Sequence, residues 1–76
     1  MKVRRLGNSE TELTVGEWII LFSYEVPVAA NEVGKGFYKT SKFHSVTTSK
    51  HINKWLAGAK ATEKDQQFFD DLKDTF

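Results

Sequence analysis

Side chains that could take part in acid–base chemistry are few in this chain of 76 residues, which contains two histidines and no cysteine. His44 is followed by Ser45, and His51 follows Ser49 by two positions. A histidine beside a hydroxyl is the beginning of a hydrolase triad, in which the imidazole removes a proton from the nucleophile. Such pairs arise by chance in a segment rich in serine and threonine, and no spacing fixes their geometry. We therefore predict no catalytic residue, and a hydrolase that uses His51 is kept as an alternative.

Metal, cofactor and membrane sites are not predicted either. The two histidines have no third ligand at a fixed spacing, and the lack of cysteine excludes zinc sites built on sulfur. The basic start MKVRR is not followed by the apolar segment of a signal peptide, and no apolar run is long enough to cross a bilayer. These features predict a soluble intracellular protein with no cofactor and no membrane partner.

Charge is distributed unevenly along the chain. The span from Lys35 to Lys60 contains six lysines, two histidines and no acidic residue, whereas residues 62–76 contain five acidic residues and two lysines. Aromatic residues interleave with the lysines, as in proteins that bind nucleic acid by phosphate contacts and base stacking. The alternative is a solvated surface, with Phe37, Phe43 and Trp55 in the core. Candidate contacts to a protein or nucleic-acid partner are Lys39, Lys42, Lys50, His51 and Lys54.

Two further features each have a functional and a structural interpretation. Hydroxyl groups crowd residues 47–49 at a predicted helix start, where free backbone N–H groups could hold an anion. Helix capping explains the same residues. The acidic residues after Thr62 could imitate a nucleic-acid backbone or contact a basic partner, and a solvated helix surface has the same composition.

The elements that must position these groups are organised around residues 17–30, EWIILFSYEVPVAA. The even positions of this stretch are all apolar, which predicts a strand with one face on the core, and Ile19 with Leu21 indicates that the other face is partly covered. Pro27 cannot donate to a ladder, so we predict a central strand over 17–24 and then an edge strand or a bulged continuation. Shorter strands are predicted over 2–6, 9–15 and 37–40.

Two helices are predicted in the C-terminal part of the chain. The first is expected to begin at Thr48 as N-cap and to end near Gly58. The second is expected to begin at Thr62, with Asp65 completing a weak capping box. The apolar side chains expected to face the sheet are Ile52, Trp55, Leu56, Phe69, Leu72 and Phe76.

Together these elements predict one α+β domain over residues 1–76, β-rich over 1–46 and helical over 47–76. The sheet is expected to be small and mainly antiparallel, with three to five strands, and both helices are expected to pack on one of its faces. Trp18, Phe22 and Tyr24 are expected to lie beneath the helices, because a domain of this size depends on each large buried side chain.

Two blocks of the sequence resemble a known family. SYEVPVA at residues 23–29 and TTSKHINKWL at residues 47–56 are together similar to blocks in a family of small, functionally uncharacterised proteins encoded mainly by bacteriophages. The resemblance covers about residues 18–57 and brings no reaction, cofactor or binding site. It implies a phage accessory protein of the bacterial cytoplasm that binds a host or antiviral-defence protein. Nucleic acid is the alternative partner, and a fold this small would act through a compact hot spot or as a self-associated form.

Overall fold

The computed structural model describes residues 1–7 and 9–75. The strands are β1 (Lys2–Gly7), β2 (Glu10–Val15), β3 (Trp18–Ser23), β4 (Val26–Glu32), β5 (Gly36–Thr40) and β6 (Ala61–Lys64), and the helices are α1 (Val46–Leu56) and α2 (Gln66–Thr75). The strands form one six-stranded sheet in chain order; β1 to β5 are antiparallel, and β6 pairs parallel with β5. The predicted α+β class is confirmed. The sheet is mixed and has one strand more than the largest number predicted.

The apolar stretch at 17–30 forms two strands. The predicted central strand is confirmed as β3, but the chain then reverses in a two-residue turn at Tyr24 and Glu25, whose φ angles are 51° and 72°. A strand begins at Val26 as predicted, but β4 lies between β3 and β5, so its predicted place at the sheet edge or as a continuation of the central strand is wrong. A shift in the β3–β4 register lies next to Pro27, where a residue without an N–H group is tolerated.

The helix α1 begins earlier than predicted. Ser45 is its N-cap, with an extended backbone and an Oγ that accepts a hydrogen bond from the Thr48 N–H at 3.1 Å. Thr48, the predicted cap, is buried in the first turn of the helix. The C-cap is Ala57, in the left-handed conformation directly before Gly58, so the predicted end is confirmed.

The helix predicted to begin at Thr62 begins later, because Ala61–Lys64 form β6. The parallel ladder with β5 places Thr62 beside Tyr38, and tertiary pairing outweighs the capping signal of Thr62. Asp65 caps α2, because its Oδ1 accepts a hydrogen bond from the backbone N–H of Phe68 at 3.0 Å. The segment predicted to be helical therefore contains a strand. Phe76, predicted to face the sheet, lies outside the described residues.

The two helices pack on opposite faces of the sheet, and the prediction that both cover one face is wrong. One core contains Leu21, Val28, Ala29, Ile52 and Leu56, and the other contains Ile20, Ala30 and Phe69. Successive residues of a strand point to opposite faces, so Ile20 and Leu21 belong to different cores although they are adjacent. We call these faces the α1 face and the α2 face.

The predicted core aromatics are divided among three environments. Trp18 and Phe22 are half-buried on the α2 face. Trp55 is half-buried against the core of the α1 face. Tyr24 is 56% exposed because it lies in the β3–β4 turn, and Phe43 is 71% exposed in the loop before α1. The expectation that these last two pack in the core is wrong.

Candidate binding surface and the network beneath it

The opposed helices give the two sides of the sheet opposite charge. α1 contains Lys50 and Lys54 and no acidic residue, whereas α2 contains three aspartates and one lysine. Lys39 is in register with Ala29, whose side chain belongs to the core of the α1 face, so Lys39 points to that face too. We call the following side chains the basic face: Lys39, Lys42, Lys50 and Lys54.

The predicted contact lysines are brought to one side of the molecule. Lys39 and Lys42 line a depression of about 210 Å³, together with Ser49 and Asn53 of α1. Lys50 is exposed on the helix. Within residues 1–7 and 9–75, none of these three lysines has an acidic group at ion-pair distance. Lys42 and Lys50 are therefore open to solvent or to a partner, whereas Lys39 is half-buried and lies opposite Glu63 in the β5–β6 ladder, a residue that lines the same depression.

Two apolar side chains are exposed at the start of α1. Phe43 follows Lys42 in the chain and is 71% exposed, and Val46, the first residue of the helix, is 64% exposed. Exposed aromatic residues of this kind serve as anchors in protein interfaces, and they stack bases in proteins that bind single strands. The basic face therefore has an apolar group at its margin.

His51, the fourth predicted contact, lies between α1 and the sheet. Its Nδ1 is 2.9 Å from Ser23 Oγ, and its Nε2 is 3.2 Å from Glu10 Oε1. Ser23 Oγ is also 3.0 Å from Thr48 Oγ1, and Lys54 Nζ is 3.5 Å from Glu10 Oε2. The network joins the two sequence blocks that carry the family resemblance, since Ser23 belongs to the first and His51 to the second.

Hydroxyl, imidazole and carboxylate stand here in the order of a catalytic triad. Ser23 is 2% exposed, however, and Glu10 is 5% exposed. A nucleophile must reach the substrate, and the hydroxyl of Ser23 is covered by α1 and shared with Thr48. The network satisfies polar groups that α1 buries, and every buried side-chain N or O atom in the described part of the chain has a partner.

When the imidazole is neutral, only one assignment of donors and acceptors allows every hydrogen bond of the network to form. The carboxylate of Glu10 can only accept, so His51 Nε2 donates to it and Nδ1 accepts from the hydroxyl of Ser23. Ser23 then accepts from Thr48, whose Oγ1 accepts from Ser45 Oγ at 3.2 Å. Ser45, the N-cap of α1, is thereby connected through three side chains to the carboxylate of Glu10 on β2.

Trp55 fixes the second half of α1 to the sheet. Its Nε1 donates a hydrogen bond to Glu12 Oε1 at 2.9 Å, and its ring meets that of Phe37 edge-on with centroids 5.7 Å apart. The predicted role of Trp55 as a core residue is confirmed in part, because the residue packs against the core of the α1 face but is only half-buried.

Gln66 forms a polar centre on the α2 side of the sheet. Its Oε1 accepts from Thr40 Oγ1 at 3.0 Å and from His44 Nε2 at 2.8 Å, while its Nε2 donates to the Pro27 carbonyl at 2.8 Å and to Asp70 Oδ1 at 3.2 Å. The two histidines therefore serve separate networks. In the described part of the chain, no group of three His, Cys, Asp or Glu residues is arranged to hold a metal ion.

The hydroxyl of Tyr38 has a shifted pKa. Burial, together with the hydrogen bond that it donates to Glu32 Oε1 at 3.2 Å, raises the pKa of its hydroxyl. The ring lies 5.8 Å from Trp18 and 5.5 Å from Phe68, centroid to centroid. Tyr38 is thus a neutral donor within an aromatic cluster that supports α2.

A family model described as a family of unknown function, DUF8033, matches residues 1–71. The chain belongs to DUF8033. The match includes all six strands, α1 and the first part of α2, so it is wider than the two blocks quoted above. No curated protein and no solved structure matches the chain.

For this DUF8033 member, the sequence predicted the lysines of the surface but missed the partners of His51. Ser23 and Glu10 are distant from it in sequence, and the one available signal was a polar residue closing the apolar run of β3.

Neither helix within the described residues has the length and hydropathy needed to span a bilayer.

Proposed function

We propose that this DUF8033 member is a phage-encoded binding protein of the bacterial cytoplasm that engages a host or antiviral-defence protein and blocks it without catalysing a reaction. The observation that supports this most is the exposure of Phe43 and Val46 beside the basic face. Exposed apolar side chains next to charged ones are a composition found in protein interfaces, where an aromatic residue often supplies much of the affinity. An acidic surface on the partner would complement the lysines.

The size of the molecule is compatible with such a contact. Its accessible surface is 4916 Å², and a standard interface uses about 800 Å² of each partner, about one sixth of that surface. One side of the sheet is enough to supply this area. A small contact of this kind must concentrate its affinity in a few side chains, and Phe43 is the largest exposed apolar side chain beside the lysines.

The absence of chemistry is part of the proposal and is supported by the position of Ser23. Its hydroxyl is directed into the interface with α1, where it hydrogen-bonds to Thr48 and His51. An acyl-transfer mechanism needs that oxygen at an open site beside donors for the oxyanion. The network is better suited to fixing the position of α1, and hence of the basic face.

Affinity capture with matched variants tests the proposal. The tagged protein is incubated with lysates of infected and uninfected bacteria, and retained proteins are identified by mass spectrometry. Phe43→Ala should abolish capture of the partner without changing the fold, because its side chain is exposed. The double variant Lys42→Glu/Lys50→Glu should also abolish it, whereas Lys64→Glu/Lys73→Glu, with the same change of net charge, should retain it.

Two outcomes would contradict the proposal. One is a wild-type chain that retains no protein above background from either lysate. The other is a retained protein whose recovery is equal for all three variants, since the contact would then lie elsewhere on the molecule.

The second candidate is nucleic-acid binding by the same surface. It is favoured by an aromatic ring, Phe43, that is exposed next to a lysine, and by the polar depression lined by Lys39, Ser49 and Asn53. Phosphate contacts release counterions, so affinity should fall steeply between about 50 and 200 mM salt. Titration of labelled single-stranded DNA and RNA measures this. Binding that is undetectable, or insensitive to salt, would exclude the candidate.

A further inference from the structure

Strand β1 has one open side. In residues 1–7 and 9–75 it pairs only with β2, and its other side presents backbone N–H and C=O groups that a further strand could use. The side chains from Lys2 to Arg5 are all exposed. Sheet edges of this kind bind extended peptides, because the main chain of the peptide continues the hydrogen-bond ladder.

The two faces of β1 differ in chemistry. Lys2 and Arg4 point to the α1 face, in register with Thr14 and Glu12. Val3 points to the α2 face and is 66% exposed. Side chains of an added strand would alternate in the same way. The positions opposite Lys2 and Arg4 are therefore suited to acidic residues, and the position between them to an apolar residue.

The α2 face is uncovered at this end of the sheet. α2 packs mainly against β4, and a cavity of about 280 Å³ remains over Val3, Leu13 and Phe22, with Glu25 at its margin. An apolar side chain placed beside Val3 would extend this apolar floor. A charged one would lose this apolar contact, although Arg5, in register with Thr11, lies further along the same face beside Glu25. The apolar floor therefore sets the preference at the position beside Val3, and Lys2 and Arg4 set it on the other face.

We propose that β1 binds an extended segment of a partner protein in which acidic and apolar residues alternate, acid–apolar–acid opposite Lys2, Val3 and Arg4. A second copy of this chain fits less well, because antiparallel pairing of β1 with β1 would set Lys2 of one copy opposite Arg4 of the other. This surface is separate from Phe43 and the basic face, so the proposal does not rest on the function proposed above.

The test uses the full chain and a fluorescein-labelled peptide of alternating glutamate and valine. Control peptides have the same composition grouped in blocks, or a proline in place of the central valine. We expect the alternating peptide to bind best and to shift the amide NMR signals of β1. Lys2→Glu should weaken binding about tenfold, since an attractive cross-strand pair becomes repulsive. Lys60→Glu, an exposed control with the same charge change, should bind like wild type.

Arg4→Gln is the second variant, and it should weaken binding about threefold because it removes one pair without adding repulsion. The proposal is overturned if the block peptide binds as tightly as the alternating one, since charge alone would then explain binding. It is also overturned if the shifts are centred outside β1, or if single-stranded DNA shifts the same β1 signals. Concentration-dependent assembly through β1 without peptide, seen by light scattering, would assign the edge to a second copy.

Discussion

The two helices are held to the same sheet by different kinds of contact. α2 buries Phe69 fully in one core with Ile20 and Ala30, and aromatic side chains of the sheet and of α2 pack against that core. α1 buries Ile52 and Leu56 but also a chain of hydrogen bonds that runs from Ser45 to Glu10. Apolar contacts are strong and tolerant of small shifts, whereas a satisfied polar network fixes one geometry.

This difference concerns how each helix is anchored. Both faces bury apolar side chains and α2 is also hydrogen-bonded through Gln66, whereas α1 is fixed by a network that ends on a buried carboxylate while it presents lysines on the outside. The sheet lies between a basic helix and an acidic one, so a charge asymmetry along the sequence becomes an asymmetry between two faces.

The largest effect is expected at Phe69. Phe69→Ala should lower the free energy of unfolding by about 3 to 5 kcal/mol, because it removes a fully buried ring, and this approaches the whole stability of a small domain. Urea denaturation followed by circular dichroism measures the change. Phe43→Ala is the matched control and should stay within about 0.5 kcal/mol of wild type. Equal loss in the two variants would show that Phe69 is not the centre of a core.

Trp55 is expected to matter less, because its ring is half-buried. Trp55→Ala should cost about 3 kcal/mol, at the lower end of the range for large aromatics. Trp55→Phe keeps most of the ring contact and loses the hydrogen bond to Glu12, so it should cost about 1 kcal/mol. If Trp55→Ala were as stable as wild type, the ring would be a surface group and the α1 side would lack its aromatic support.

His51 tests whether the network on the α1 side is structural. His51→Ala should lower stability by about 2 kcal/mol, since it leaves buried oxygens of Ser23 and Glu10 with one partner fewer. A double-mutant cycle with Ser23→Ala should give a coupling energy of about 1 kcal/mol. Unchanged stability, together with loss of a measurable hydrolytic activity, would favour the triad interpretation.

The smallest expected effect is a gain in stability rather than a loss, and it is expected at Glu25 in the β3–β4 turn. Glu25 has a left-handed φ of 72°, and this backbone conformation is strained for a residue other than glycine. The strain lowers the free energy of unfolding of the protein. Glu25→Gly should therefore stabilise the protein by about 0.5 to 1 kcal/mol after the entropy of glycine is counted. Thermal denaturation is the measurement. A destabilised variant would show that the side chain of Glu25 makes a contact that compensates the strain.

Some elements were predictable from sequence because local pattern and tertiary structure agree there. β3 follows from a run of apolar residues, and α1 follows from Ile52 and Leu56 at helical spacing. β6 was missed because four residues with a good capping threonine, Thr62, become a strand only through pairing with β5. The placement of the helices was missed because Ile20 and Leu21 are both apolar, and sequence alone does not say which helix covers which one.

The candidate site, like the fold, was predictable from the sequence only in part. Lysines are exposed wherever the backbone places them, so Lys42 and Lys50 were identified correctly as surface groups. Phe43 was assigned to the core because its residue type is apolar, yet the loop before α1 leaves it 71% exposed. The partners of His51 come from β2 and β3, and only the fold brings them together.

The separation of the helices by the sheet is tested most directly by nuclear Overhauser effects in the methyl and aromatic regions of the full chain. We predict cross-peaks from Phe69 to Ile20 and Ala30, cross-peaks from Leu56 to Leu21 and Ala29, and none between Leu56 and Phe69. Cross-peaks joining Ile52 or Leu56 to Phe69 or Leu72 would place both helices on one face. The opposition of a basic and an acidic face would then be lost.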